Sequence, residues 1–250
     1  MTPLGIDDFE PQLDDPHAQR AHRRERLALA YRVFGALGWG QLGDGHISAR
    51  DPILTDHFWL GRYGVPFGRV TVDDLVLVAP DGSAADAAGA KADINPAAYF
   101  IHWPVHEARP DIVCAAHIHT PYGTPFAAML EPVRPISQEA CAFHGDHAIF
   151  DDDELDIVSL DGGKRIASAL GPARAAILRN HGLLTVGPTV DEAIGWFVML
   201  ERVAEVQVKA GARAQAVSDD AAALVHGNVG GRMLGWHQFQ WLVRSLGLDG

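Results

Sequence analysis

Basic charge, cysteine and long apolar runs are all scarce in this chain. Its 20 Lys and Arg stand against 32 Asp and Glu, for a formal net charge of -12. That deficit argues against nucleic acid or an anionic membrane surface as a partner. The two cysteines, Cys114 and Cys141, are not spaced as a zinc motif, and two thiols make no disulfide framework. Both sit among apolar residues and read as buried, inert thiols. No uninterrupted apolar run approaches the roughly 20 residues that a membrane helix needs. The opening MTPLGIDDFEPQLDDP is acidic and lacks the apolar stretch of a secretory signal, so the expected compartment is the cytoplasm.

Histidine, by contrast, is plentiful, with 13 in 250 residues. His117 and His119 stand in VCAAHIHTPYG, and His181 stands in AAILRNHGLLTVG. Ile112 to His119 is short and mostly apolar, which predicts a buried strand. Side chains two apart on a strand share a face, so both imidazoles aim at one point while Ile118 turns into the core. His181 follows the apolar run Ala175 to Leu178 and precedes Gly182, as a residue at a strand end would. Three imidazoles with one open position suit a catalytic Zn(II), and equally Mn(II), Fe(II) or Co(II).

With 48% hydrophobic residues, the chain can bury a full core as one domain spanning residues 1–250. Residues 1–16 read as an acidic arm. A helix is expected over His17 to Leu37, strands over Ile53 to Trp59 and Leu75 to Ala79, and a helix opening at Asn95-Pro96. Pro104 should end or kink that helix. Further helices are expected over Pro121 to Leu130, Lys164 to Leu170 and Val190 to Val208. Residues 227–250 carry Trp236, Phe239, Trp241 and Leu242 and read as a docking or interface segment. The alternation of strands and helices implies an α/β layered fold with a mixed or antiparallel sheet.

GDGHISARDP, IHWPVHEARPDIVCAAHIHTPYG, PISQEACAFHGDHAIFDD and ILRNHGLLTVGPTVDEAIGWFVMLE, taken in this order, resemble the class II aldolase/adducin family. The resemblance runs from about Ala21 to Glu205. It implies a three-layer α/β/α sandwich around a largely antiparallel nine-stranded sheet, in a homo-oligomer, commonly a tetramer, with sites at subunit interfaces. It also implies that His117, His119 and His181 ligate one divalent metal ion per subunit.

Departures from the family pattern narrow the chemistry. The sugar-phosphate aldolases of the family carry Ser-Ser-Glu upstream of an Arg-Pro-Asp turn. Counted back from Arg109-Pro110-Asp111, that segment falls on Pro96, Ala97 and Ala98, so phosphate-binding hydroxyls and the acid/base carboxylate are both missing. Their Gly-Asn-x-Ser is here Gly45-His46-Ile47-Ser48. A proton donor is still required to quench a carbanion. His46 is the first candidate, since imidazole titrates near neutral pH, and Glu139 is the second. Asn95, Tyr122 and Gln138 are candidate substrate contacts. His102 reads as a supporting histidine, His144 and His147 as strand-turn residues at the rim, and Trp59 and Trp103 as walls of an apolar pocket. The expected function is a metal-dependent carbon–carbon lyase, of decarboxylase or aldolase type, on a non-phosphorylated carboxylate or carbonyl small molecule, aromatic ones included. An Fe(II)-dependent oxygenase and a non-catalytic adducin-like oligomerisation module are the alternatives.

Overall fold

The computed structural model describes residues 9–85 and 90–249. Seven strands form one sheet: β1 Gly45–Arg50, β2 Phe58–Gly61, β3 Leu75–Val78, β4 Cys114–Ile118, β5 His147–Phe150, β6 Ala175–Leu178 and β7 Gly182–Gly187. Their order is β3-β2-β1-β4-β7-β6-β5. Every pairing is antiparallel except β5 with β6. The sheet therefore has the expected antiparallel character, with seven strands among the described residues in place of nine.

Helices cover both faces. Residues of α1 (Pro16–Ala36), α3 (Gly123–Met129), α5 (Val190–Ala210) and α7 (Arg232–Ser245) pack with Ile47, Ala49, Cys114, Ala116 and Ile118 in the main core. On the opposite face, α2 (Pro96–Ala108) and α4 (Leu160–Leu170) pack on Ala115, Ala176, Leu178, Leu184 and Val186. The strict alternation along β4 sends odd and even residues to different layers, as period-two side chains require. Side-chain caps start the helices: the Asp15, Ser159 and Thr189 oxygens accept from His17 N, Gly162 N and Glu192 N. The sixth helix, α6 (Asp219–Val229), leads into α7. There the Gly195 and Gly235 backbones meet so closely that a Cβ on Gly195 would stand 1.8 Å from the Gly235 carbonyl oxygen. Phe239 of α7 is buried, whereas Trp241 stays exposed.

Three local expectations are revised. Residues 53–57 form a turn rather than the start of β2, because the Asp51 carboxylate accepts from the backbone N–H groups of Ile53 and Leu54 at 2.9 and 2.7 Å. Pro104 neither ends nor breaks α2, which runs on to Ala108. Proline at 104 leaves the Phe100 carbonyl without its helical N–H, and Gly163 of α4 fits against that oxygen, where a Cβ would stand at 1.8 Å. Within the expected N-terminal arm, residues 1–8 lie outside the described residues. Phe9 is buried against Trp236 with ring centroids 6.0 Å apart, and Glu10 receives both nitrogens of an Arg23 fork at 2.9 and 2.8 Å. No helix among the described residues is long and apolar enough to cross a membrane.

Candidate metal centre

His117 lies near the end of β4, with His119 just beyond it, and His181 occupies the turn between β6 and β7. Antiparallel pairing of β4 with β7 sets Ile118 opposite Leu183 and so brings that turn to the end of β4. Two neighbours of His181 make the approach possible. Asn180 adopts a left-handed conformation (φ 52°), which asparagine tolerates better than most residues. Gly182 leaves room for the rings: a Cβ there would stand 3.3 Å from His117 Cε1, 3.3 Å from His119 Cδ2 and 3.0 Å from the Ile118 carbonyl oxygen. The three imidazoles consequently offer one nitrogen each within 4.8 Å of one another. Their ring centroids are 5.2 Å (His117–His119), 4.6 Å (His117–His181) and 4.7 Å (His119–His181) apart.

The electrostatics keep these rings neutral. Burial is the largest cause of the lowered pKa at all three, followed at His117 and His181 by a neighbouring histidine. His181 is pushed down to about 4. His117 Nδ1 lies 2.9 Å from the Leu183 carbonyl oxygen, so Nδ1 carries the proton and Nε2 keeps its lone pair. Neutral imidazole is the ligating form, and the donor set fits a divalent ion of the zinc, manganese, iron or cobalt class. Asp44 adds a second sign of fit. Its Oδ1 is buried with no hydrogen-bond partner, and its charge partly opposes the lowering of His119. The Asp44 carbonyl also accepts from the His119 N–H at 3.0 Å.

The loop after His119 is clamped by Glu201 of α5. Its carboxylate accepts from Thr120 Oγ1 at 2.5 Å, Tyr122 N at 2.9 Å and Gly123 N at 2.7 Å. Burial raises its pKa despite these bonds.

His46 stands directly opposite His117 in the β1–β4 register, with ring centroids 5.0 Å apart. It also lines a cavity of about 320 Å³ together with Tyr31, Arg62, Tyr63, Phe67, Asn95 and Ala98. Asn95 Oδ1 caps α2 by accepting from Ala97 N at 3.0 Å, which leaves its NH2 free for the cavity. Ala98 offers only a methyl group there. The aromatic wall is Tyr31, Tyr63 and Phe67, not the two tryptophans. Trp59 lies on the other face, giving its Nε1–H to Asp51 at 2.8 Å, and Trp103 stacks on Phe58 at 6.3 Å.

The other candidates fall outside the three-histidine group. Gln138 and Glu139 are exposed ahead of the short 3-10 turn Ala140–Phe143. The Tyr122 ring is covered by Lys209, whose Nζ is 4.9 Å from its centroid. His147 uses both nitrogens on backbone, with Nδ1 2.7 Å from Phe143 O and Nε2 accepting from Val133 N at 3.0 Å. His144 is half-buried at the end of the 3-10 turn. His102 contacts His46 directly, Nε2 to Nδ1, at 2.6 Å. Sequence reasoning missed Asp44, Ser48 and His106, and it read Gly182 only as a turn residue and not as clearance for the rings. The available signals were the four-residue step from His102 to His106, the two-residue step from His46 to Ser48, and the glycine after His181.

Comparison with known proteins fits this geometry. The family model described as Class II Aldolase and Adducin N-terminal domain matches residues 25–208. Decarboxylase NovR of Streptomyces niveus is 38% identical over 240 residues, covering 94% of this chain and 88% of that protein. The 4-hydroxy-3-prenylphenylpyruvate oxygenase/4-hydroxy-3-prenylbenzoate synthase of Streptomyces roseochromogenus subsp. oscitans is also 38% identical over 240 residues, covering 94% and 86%. Among solved structures, L-fuculose 1-phosphate aldolase from Glaciozyma antarctica PI12 superposes with a TM-score of 0.85 at 35% identity, over 98% of this chain and 99% of that one.

Proposed function

Because the chain belongs to the class II aldolase and adducin family, we propose that it is a divalent-metal-dependent lyase. It breaks a carbon–carbon bond in a non-phosphorylated carboxylate or carbonyl compound, by decarboxylation or by retro-aldol cleavage. One observation carries this reading: three neutral imidazoles converge beside a cavity that contains an imidazole at His46 and only a methyl group at Ala98.

His117, His119 and His181 would hold the ion. When bound, it supplies the Lewis acidity that stabilises negative charge developing next to a carbonyl or carboxylate. The protein supplies the remainder. In the decarboxylase form of the reaction, the electron pair of the broken bond stays on the substrate carbon as carbon dioxide leaves. His46 gives that carbon the N–H proton of its neutral ring, and the imidazolate so formed takes a proton back from solvent on the cavity side. The Asn95 NH2 orients a substrate oxygen. Tyr31, Tyr63 and Phe67 give an apolar wall that suits an aromatic or otherwise flat substrate and excludes water. A phosphate is disfavoured because Pro96, Ala97 and Ala98 carry no hydroxyl. The one guanidinium in the lining, Arg62, pairs with Asp93 at 3.2 Å.

The name of the Streptomyces niveus relative supports the decarboxylase form. The working unit in this reading is a homo-oligomer, a tetramer, with one ion per subunit. The positions of Gln138, Glu139 and Tyr122 support an assembly, because a second copy can bring to the site what one chain leaves outside it. A second reading has a specific observation in its favour: an oxygenase is equally identical to this chain, so iron with dioxygen is the alternative chemistry.

The test is to strip the protein with chelator, reload it with zinc, manganese, cobalt or iron, and measure carbon dioxide release from hydroxyaromatic and 2-oxo carboxylates without oxygen. Anaerobic turnover that is lost in His119→Ala supports the lyase. Turnover that requires both iron and oxygen replaces it with the oxygenase. Failure to retain any divalent ion overturns both.

A further inference from the structure

Behind His46, on the α2 side of the sheet, four polar side chains form one buried chain. His46 Nδ1 is 2.6 Å from His102 Nε2, His102 Nδ1 is 2.5 Å from Ser48 Oγ, and Ser48 Oγ is 2.8 Å from His106 Nε2. Exposure is 5% at His46, 0% at Ser48 and His102, and 2% at His106, so the chain is closed to bulk solvent. Strand alternation puts His46 and Ser48 on one face of β1, and a four-residue step puts His102 and His106 on one face of α2. Burial, the largest cause, holds the His102 and His106 imidazoles neutral.

With the Ser48 hydroxyl proton kept inside the chain, two proton arrangements are consistent. Each neutral imidazole carries one N–H, the hydroxyl carries one O–H, and each contact holds one proton. In the first arrangement, His106 Nε2–H donates to Ser48 Oγ, the Ser48 hydroxyl donates to His102 Nδ1, and His102 Nε2–H donates to His46 Nδ1. His46 then carries its own proton on Nε2. In the second, every bond is reversed: His46 is protonated on Nδ1, Nε2 presents a lone pair, and His106 carries its proton on Nδ1.

His106 Nδ1 decides between them, because it is buried with no hydrogen-bond partner among the described residues. The second arrangement would orphan an N–H there, whereas the first leaves only a lone pair. Orphaned buried N–H groups are the rarer defect in folded proteins. Arg50 keeps that ring neutral without choosing its tautomer. Its Nη2 donates to the His106 carbonyl at 2.6 Å, and its positive charge disfavours a further proton on the ring beside it.

We infer that His106, acting through Ser48 and His102, fixes His46 as the Nε2–H tautomer, so that the imidazole facing the site is a donor and not a fourth metal ligand. This rests on the role given to His46 in the proposed lyase and states which proton that role uses. It also fits the convergence of His117, His119 and His181 alone as a ligand group. Ser48, His102 and His106 are positioning residues. The chain ends at a nitrogen with no partner among the described residues, so His46 is reprotonated from the cavity side.

The test is the protonation site of His46 in the full-length, zinc-loaded protein labelled with [15N]histidine, read from two-bond proton–nitrogen correlations of the ring. The wild type should show the proton on Nε2, in an excess of at least about tenfold. Ser48→Ala, which cuts the chain by removing one oxygen, and His106→Phe, which removes the terminal donor, should each lower that excess about tenfold. Zinc content should stay unchanged. A wild-type His46 protonated on Nδ1 overturns the inference, and so does a tautomer ratio that neither variant moves. If His106→Phe fails to fold, Ser48→Ala decides alone. The readout needs no substrate. A tautomer that shifts as stated in a protein with no lyase activity therefore sustains this inference while the proposed reaction fails.

Discussion

The buried end of that histidine chain should make the protein acid-labile by an amount that one substitution can isolate. His106 has its pKa lowered from 6.5 to about 3, first by burial and then by the charge of Arg50. The sign follows from linkage. The folded state resists protonation, so the unfolded chain takes up the proton first as pH falls. The neutral ring's contribution is complete above pH 6.5 and is lost progressively between 6.5 and about 3. Each unit of pH in that window removes about 1.4 kcal/mol per histidine. At pH 5 the loss from His106 alone is roughly 2 kcal/mol, a substantial share of the roughly 5–15 kcal/mol that stabilises a folded domain.

His106→Phe keeps a ring where His106 stacks on Phe58 at 5.4 Å but cannot take up the proton. At pH 7.5 it costs about 1–2 kcal/mol for the hydrogen bond lost at Ser48. Between pH 7.5 and 5, the stability of wild type relative to the variant should fall by roughly 2 kcal/mol, enough to cancel or reverse the difference. Urea unfolding at both pH values checks this, with chelator present and protein concentration fixed so that metal binding and association do not shift the midpoint. A difference that stays constant with pH would refute a neutral, buried His106.

Three further outcomes are expected. Gly182→Ala puts a methyl 3.3 Å from His117 Cε1 and His119 Cδ2. It should weaken zinc binding about tenfold or more in a chelator competition, and unchanged affinity would show that the rings need no such clearance. Asp44→Asn keeps the shape but removes the charge acting on His119. It should lower zinc affinity about tenfold while leaving thermal stability near wild type, and equal affinity would leave the orphaned oxygen without a role at the metal. Glu201→Ala strips the acceptor from Thr120, Tyr122 and Gly123. It should cost about 2–4 kcal/mol in urea unfolding at pH 7.5, because buried donors are left unpaired; a loss below 1 kcal/mol would mean that water replaces the carboxylate.

The parts of this molecule that follow local rules were readable from the chain, and those that depend on distant packing were not. The two-residue step from His117 to His119, the apolar run into it and the glycine after His181 report backbone geometry within a few residues, and the gathering of the three rings follows that geometry. The sheet's antiparallel character was accessible through the family pattern, but its strand count was not. Residues 53–57 have strand-like composition and are diverted by one carboxylate at Asp51. Pro104 is expected to end or kink α2, but the helix runs on to Ala108, and the close fit of Gly163 against the Phe100 carbonyl comes from another helix. The chain from His46 to His106 was hidden for the same reason. Its spacings were visible, but the contacts join residues 54 to 58 positions apart and exist only once α2 has packed on β1.

That dependence makes the β1–β4 register the point where fold and chemistry meet. Ile47 pairs with Ala116 and faces the main core, while His46 pairs with His117 and Ser48 with Ala115 on the other side. A slip of one residue would exchange these sets and drive His46 and Ser48 into the apolar layer beneath α1 and α5. Each polar group stranded there would cost about 1–3 kcal/mol, and Ile47 would leave a hole behind it. Tyr31 of α1 opposes the slip directly. Its hydroxyl donates to the Ile47 carbonyl at 2.8 Å and accepts from Ile47 N and Gly61 N, both at 3.0 Å. One proton and two lone pairs are all spent, and burial pushes this phenol's pKa up to about 12, so the arrangement does not titrate in the working range. Tyr31 thus fastens β1 one residue away from His46. A side chain in the helical layer sets the register, and the register aims the imidazole.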